Sequence, residues 1–426
     1  MKRLCGCLLW FFSVCAHAGT KDLVVHEWGT FTSLQDESGR AIGGINSDDE
    51  PVPKFVHDLN RLLVLKPSEL PPVFYQGAPH CHPCVTMRLE TPVIYFHLAD
   101  ETSKPLIVDV RVAWRGGWLT QFFPEAQAEA PGAFGALNEG TVGRLAWLKL
   151  TVGGNASGPE TREHVWTAPR AVKAASLTTG KGESEKYLFY RGVGHLNAPL
   201  QVERQKERLV LRSQLDAGFA APPRLRRLWL AEFRANGECA FRSFAPVTLS
   251  GDPGKVILST PAAFANKEFS APNLAKLRAQ MRQTLVEEGL FNDEAEALLN
   301  TWELSYFKSA GLRLFFLLPR DWTEHYLPLE LSVPAKVSRV LVGRIELVTP
   351  GLRQLLRQIA DAPIPTKPWA CLTNNGANWE YRGAMPPTYR DLGRFRNGLV
   401  LDELKQHPTE SLRAFIEING LQACAR

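Results

Sequence analysis

Imidazole, thiolate and carboxylate side chains crowd one short stretch of this sequence. Five of the nine histidines that follow the leader, His26, His57, His80, His82 and His97, fall between residues 26 and 97. Even scattering would put about one and a half there. The same window holds Cys81, Cys84 and the acidic run Asp48-Asp49-Glu50. These are transition-metal ligand types, and soft and borderline donors point to a copper or zinc ion ahead of calcium or magnesium. Copper held by histidines suits oxidoreductase chemistry. Zinc with an open coordination position suits a hydrolase, with Glu27 or Asp49 as the general base. The residue types leave that choice open.

The sharpest local feature is His80-Cys81-His82-Pro83-Cys84. Two thiolates at C-x-x-C spacing can share one ion, but in extended chain His80 and His82 point together while Cys81 faces away. All four bind one ion only across a strong bend. A thioredoxin-like dithiol needs a strand before the motif and a helix after it, whereas Val85-Thr86-Met87-Arg88 leads into a strand. Covalent haem needs His where Val85 stands. Metal ligation and a plain Cys81–Cys84 disulfide remain level as readings of this segment.

Other segments carry less. Around His26-Glu27-Trp28-Gly29-Thr30, strand alternation sets Val24, His26, Trp28 and Thr30 on one face and Glu27 on the other. The zincin pattern H-E-x-x-H is missing, because the fifth residue is Thr30. The Asn46–Pro51 loop lacks EF-hand spacing and reads as a solvated turn. His57, beside Asp58, is either a surface residue or a tuned imidazole. Tyr190-Arg191-Gly192-Val193-Gly194-His195 has glycines that could let backbone approach a ligand, without dinucleotide-site spacing. No Walker A loop or G-x-S-x-G elbow is present.

The elements that must position these groups are mostly strands. Asp22 to about Thr260 reads as strand after strand, including residues 23–32, 92–98, 106–114, 118–123, 143–152, 187–192 and 225–233, joined by Gly, Pro, Asn and Asp turns. Antiparallel sheets packed face to face, sandwich-like, are the expectation for residues 19–265. From about residue 266 to 426 the texture is α+β. Leu274, Leu277, Met281, Leu285 and Val286 mark a helix ended by Gly289. Asn292 reads as the N-cap of a second helix, with Asp293 and Glu294 in its first turn. Strands follow at 312–318, 327–331 and 337–348. Thr349-Pro350 opens a helix to Ala360, and the tail after Thr388 is helical, broken at 407–409.

Length and charge bound the rest. The 426 residues carry 49 basic and 44 acidic side chains, a net +5 that is too small to imply a nucleic-acid partner. Lys2 and Arg3, an apolar run from Leu4 to Ala16 and Ala16-His17-Ala18 make residues 1–18 an expected signal peptide cleaved after Ala18. A periplasmic or secreted protein is expected, with no transmembrane segment in the mature chain. Cleavage leaves Cys81, Cys84, Cys239, Cys371 and Cys424, an odd number for an oxidising compartment, with Cys371–Cys424 a reasonable disulfide.

Several phrases occur together: Val25–Ser33 (VHEWGTFTS), Asp49–Leu59 (DEPVPKFVHDL), Leu89–Phe96 (LETPVIYF), Phe189–Gly194 (FYRGVG) and Arg339–Pro350 (RVLVGRIELVTP). In these the chain resembles an uncharacterised family of exported bacterial proteins. The resemblance implies one architectural unit spanning both regions and brings no activity with it.

Two functions from different classes follow. The first is an exported metal-binding protein, an enzyme if the metal keeps an open position, whose site gathers His26, His57, His80 and His82, joined by Cys81, Cys84 or His97, acting on a small-molecule or cell-envelope substrate. The second is a non-catalytic β-sandwich protein that binds glycan, peptide or another envelope component. Convergent imidazoles distinguish the first; histidines on separate faces distinguish the second.

Overall fold

A computed structural model describes residues 23–47, 51–59, 74–75, 78–79, 82–99, 105–129, 137–215, 219, 222–252, 254–366, 370–374, 379–383, 385–419 and 421. The expected signal peptide, His80, Cys81 and Asp49 lie outside these residues.

The long strands of the main sheet are β1 (Val24–Gln35), β2 (Met87–His97), β3 (Leu106–Arg115), β4 (Gly117–Phe123), β5 (Val142–Val152), β6 (Leu188–Gly194), β7 (Leu228–Phe233), β8 (Cys239–Phe244), β9 (Gly311–Leu317) and β10 (Lys336–Leu347), while Leu200–Gln205, Arg208–Ser213 and Val256–Pro261 form a separate three-stranded sheet. In the main sheet β5-β4-β6-β2-β1-β10-β9-β7-β8 are successive hydrogen-bonded neighbours and β3 pairs with β5. The chain is therefore mainly β, with helices concentrated after residue 271, as its residue patterns predict.

The purely antiparallel expectation needs correction at two pairs, a short one where β4 meets β5 in parallel at Gly117 beside Val142 and a long one. β1 and β10 run parallel, in register from Val24 beside Lys336 to Gln35 beside Leu347. Some 300 residues separate them, so no tight turn imposes the antiparallel direction on this pair. The change of texture near residue 265 is local, since β9 and β10 continue the sheet that β1 and β2 begin.

β1 is the central strand and is buried on both faces, which its polar residues must answer with partners. Val25 and Phe31 face one apolar core, with Leu89, Ile94, Phe96 and Ile345. Trp28 faces the other, with Val93, Tyr95, Val342 and Phe315. Alternation along β2 breaks between these sets: the register with β1 shifts between Trp28 and Thr30, opposite Thr91, whose φ is 42°. The shift turns Arg88 and Glu90 to the same face as Val93 and Tyr95.

The glycines of FYRGVG seat an indole and do not open a path to a ligand. A Cβ on Gly192 or Gly194 would lie 2.8 or 2.6 Å from the Trp114 ring, and on Gly192 also 2.0 Å from the Trp118 carbonyl oxygen.

The helices are α1 (His164–Arg170), α2 (Pro272–Glu287), α3 (Asn292–Thr301), α4 (Arg320–Tyr326), α5 (Pro350–Ala360), α6 (Pro387–Arg390), α7 (Arg396–Gln406) and α8 (Glu410–Ile418). α1 lies in the region that reads as strand after strand, where seven residues including Pro169 are too few to show a helical periodicity. In α5 the Thr349 hydroxyl caps the Leu352 N–H at 3.3 Å, as expected. Thr349→Ala should therefore cost about 1 kcal/mol in denaturant unfolding, and an unchanged midpoint would remove the cap from the account. At α3 the cap position is Phe291 and not Asn292. Apolar Phe291 cannot cap with its side chain, so Glu294 reaches back and accepts its N–H at 2.7 Å. Among the described residues, no helix is long and apolar enough to cross a membrane.

Candidate metal centre

The carboxylate drawn to the start of α3 also joins two of the sequence's candidate ligands. His26 stands on β1 opposite Tyr95 of β2, and His97 lies two residues farther on β2, so both rings project from one face. Their centroids are 5.2 Å apart. α2 and α3 cover this face with Leu277, Met281, Leu285, Ala295 and Leu298, packed in the same core as Trp28 and Tyr95. The first turn of α3 thereby arrives over the two rings. Glu294 Oε2 lies 2.7 Å from His26 Nδ1, and Oε1 lies 2.9 Å from His97 Nε2.

Burial alone raises the pKa of Glu294. The hydrogen bonds from His26 and His97, the charge of His26 and the Phe291 N–H outweigh burial and hold it below the ordinary carboxylate value. The helix N-terminus favours the anion in the same sense. A depressed native pKa means that this group stabilises the fold above its unfolded pKa, and that the contribution fades as pH falls through the native one. Tyr95 is pushed the other way, by burial first and then by the Glu294 charge, so its phenol stays protonated and donates to the Pro169 carbonyl at 2.9 Å.

His26, His97 and Glu294 form a group of three donors whose ligand atoms all lie within 4.8 Å of one another. Two imidazoles and a carboxylate are a zinc ligand set that leaves a fourth position open. With zinc bonds of about 2.0–2.1 Å, tetrahedral neighbours stand about 3.3 Å apart. The present 2.7 and 2.9 Å contacts are hydrogen-bonded lengths, so an ion would take the place of the shared protons and part the donors by about half an ångström. The Phe291 ring lies tilted 4.6 Å from His26 and edge-on 4.7 Å from His97 and is itself 45% exposed, so an apolar ring stands between the donors and water.

The other sequence candidates sit elsewhere. His57 binds Glu183 at 2.9 Å and stacks on Phe122 and Phe123. His82 accepts the Cys84 N–H at 3.2 Å within its own turn and meets Trp118 edge-on. Cys84 carries a free thiol, and its carbonyl oxygen lies 2.7 Å from His195 Nδ1. His82 and Cys84 cannot share an ion with His97, because the eleven-residue strand β2 separates them by on the order of 30 Å, and His57 pairs beside Phe122 of β4, with β4 and β6 standing between it and β2. Glu27 faces the opposite side of β1 from His26, where it is bound by Tyr190 Oη and by Arg339 Nε at 2.5 Å. That placement leaves it no path to the triad as a general base. Glu294 is the functional candidate that the sequence did not offer as a ligand. Its signal was an acid in a helix first turn, a common feature, and 268 residues separate it from His26.

Among the described residues there is no disulfide, and Cys239 is a second free thiol. The side chain of Cys371 and all of Cys424 lie outside them. Burial pushes the Cys239 thiol up to about 11. Only about one such thiol in a thousand is ionised at pH 8, so Cys239 should resist Ellman's reagent in native protein and react on unfolding. Prompt native labelling at Cys239, located by peptide mapping, would contradict its burial.

No family model and no curated protein matches the chain. Among solved structures, the Fcho1 Mu homology domain of Danio rerio with bound Eps15 peptide aligns with 77% of this chain and 96% of its own length. The identity is 7% and the TM-score 0.28, values that carry no argument about fold or partner.

Proposed function

We propose that this is an exported metal-binding protein whose centre is His26, His97 and Glu294, with zinc as the preferred ion. One observation carries the reading: three separate elements, β1, β2 and the first turn of α3, bring two imidazoles and a buried carboxylate within 4.8 Å. Zinc is preferred because two imidazoles and one carboxylate with a fourth position left open are a ligand set of catalytic zinc sites. A zinc ion on three protein ligands keeps a position for water or substrate, which is the arrangement that serves hydrolysis.

The test is elemental analysis by mass spectrometry on mature protein purified without chelator or affinity metal, followed by zinc and copper titration. About one equivalent of zinc is expected, absent in the His26→Ala/His97→Ala double variant and retained in His82→Ala. A folded wild-type protein that takes up neither ion would overturn the proposal and turn attention to glycan and peptide binding.

A further inference from the structure

Beyond β1 the chain turns through Arg40-Ala41-Ile42-Gly43-Gly44, a segment that the metal reading does not use. Ile42 donates its N–H to the Leu34 carbonyl at 2.9 Å, and Ile45 donates to the Val85 carbonyl at 3.4 Å. Between them, the N–H groups of Gly43 and Gly44 have no hydrogen-bond partner among the described residues, although Gly44 is buried. Unpaired backbone donors in a buried loop are rare and costly, so a partner is called for. α7 crosses this backbone closely: a Cβ on Gly398 would lie 2.9 Å from the Gly43 carbonyl oxygen. Farther along α7, a cavity of about 430 Å³ opens against the same loop, a size that suits a small ligand.

The lining offers apolar surface and donors. Leu401 and Leu404 of α7, Ile416 of α8, Ala41 and Pro83 supply the apolar walls, and no aromatic ring is among the lining residues. The acceptors at the cavity are already matched. Asp402 holds Arg40 at 3.0 and 3.2 Å and Gln406 at 2.6 Å. The Thr86 hydroxyl is occupied as well, donating to the Leu196 carbonyl at 3.1 Å. The donors are in surplus. Arg40 meets Asp36 and Asp402 through Nη2, and its Nε and Nη1 have no partner among the described residues. The exposed Lys405 ammonium, which also lines the cavity, likewise has none among them.

The geometry points to a binding site for a small monocarboxylate with an aliphatic body. The carboxylate accepts from the Gly43 and Gly44 N–H groups and pairs with Lys405, while the hydrocarbon lies on Leu401, Leu404 and Ile416. Charged acceptors make the stronger hydrogen bonds to backbone donors, and successive N–H groups suit an anion. One ammonium without a countercharge matches a single negative charge. Leucine and isoleucine walls favour an aliphatic chain, because its burial there removes apolar surface from water.

The test is saturation-transfer NMR with calorimetric titration of the full-length mature protein, using hexanoate, acetate, hexylammonium and N-acetyl-alanyl-leucine in one buffer. Hexanoate should bind with a Kd of about 1 mM. Acetate and hexylammonium should each bind at least about tenfold more weakly, because one lacks the chain and the other the anion. Ala41→Phe, which puts a ring into the cavity, and Lys405→Glu, which repels the carboxylate, should each weaken hexanoate by at least about tenfold. Lys276→Ala, at an exposed lysine of α2, should leave the affinity unchanged. No measurable hexanoate binding to the wild-type protein would overturn the site, as would an affinity unchanged in Ala41→Phe or in Lys405→Glu. Hexylammonium bound as well as hexanoate would show an apolar cavity without an anion pole and overturn the carboxylate. Tighter binding of N-acetyl-alanyl-leucine would assign the cavity to peptide C-termini and overturn the small-acid ligand. Where Ala41→Phe does not fold, the four-ligand series on wild type and Lys405→Glu still decides.

Discussion

Glu27→Ala should destabilise the protein by about 3–5 kcal/mol, the largest single-residue effect expected here outside the apolar cores. Glu27 is fully buried and Arg339 is nearly so. Burial alone lowers the pKa of Arg339, and the charge and hydrogen bond of Glu27 outweigh it, so this carboxylate is the countercharge of the buried guanidinium. Tyr190, raised well above its ordinary pKa by burial first and then by the Glu27 charge, remains a neutral donor to the same carboxylate. Deleting Glu27 strands a buried cation whose Nη2 already lacks a hydrogen-bond partner. Tyr190→Phe removes one hydrogen bond to that carboxylate and should cost less, about 1.5–3 kcal/mol. Urea unfolding of the two variants checks the ranking, and equal midpoints for Glu27→Ala and wild type would show that the pair stabilises nothing. The double replacement Glu27→Leu with Arg339→Leu should recover part of the loss, because no unpaired charge is left behind.

Glu294→Gln is expected to weaken zinc binding by at least about 100-fold while leaving the chain folded. The amide keeps an oxygen for the Phe291 N–H, so the turn that positions α3 survives. It cannot supply an anionic ligand. In wild type, zinc at about 100 times its dissociation constant should add about 2.7 kcal/mol of stability, and the variant should lose nearly all of that gain. Calorimetric titration with thermal unfolding reads both quantities. Undiminished affinity in Glu294→Gln would mean that any ion sits elsewhere, and that Glu294 serves only to tie α3 to the two histidine rings.

Much of the local structure was legible in the residues. The helix from Thr349-Pro350, the helix ended by Gly289 and the strand texture of β1 follow from caps, turns and alternation, which are short-range effects. The histidine cluster was legible only as a density. His26 and His97 converge because two neighbouring strands place them on one face, whereas His57 and His82 went to partners supplied by Glu183 and by the Cys84 backbone. Glycines read as a possible ligand approach proved to seat Trp114, a contact between segments some eighty residues apart.

By itself the sequence determined the mainly β character, the helical texture after residue 265 and the ligand types gathered between residues 26 and 97. Periodicity and composition carry that information, because each element's propensity is settled within a few residues. The tertiary structure decided which groups meet. The parallel seating of β10 beside β1 set Arg344 against Thr32, and the register shift opposite Thr91 turned Arg88 and Glu90 toward it. The docking of α2 and α3 delivered Glu294 to His26 and His97. Those meetings depend on long-range pairing and on packing against a shared core, and no local pattern of residues encodes the partner across 268 positions.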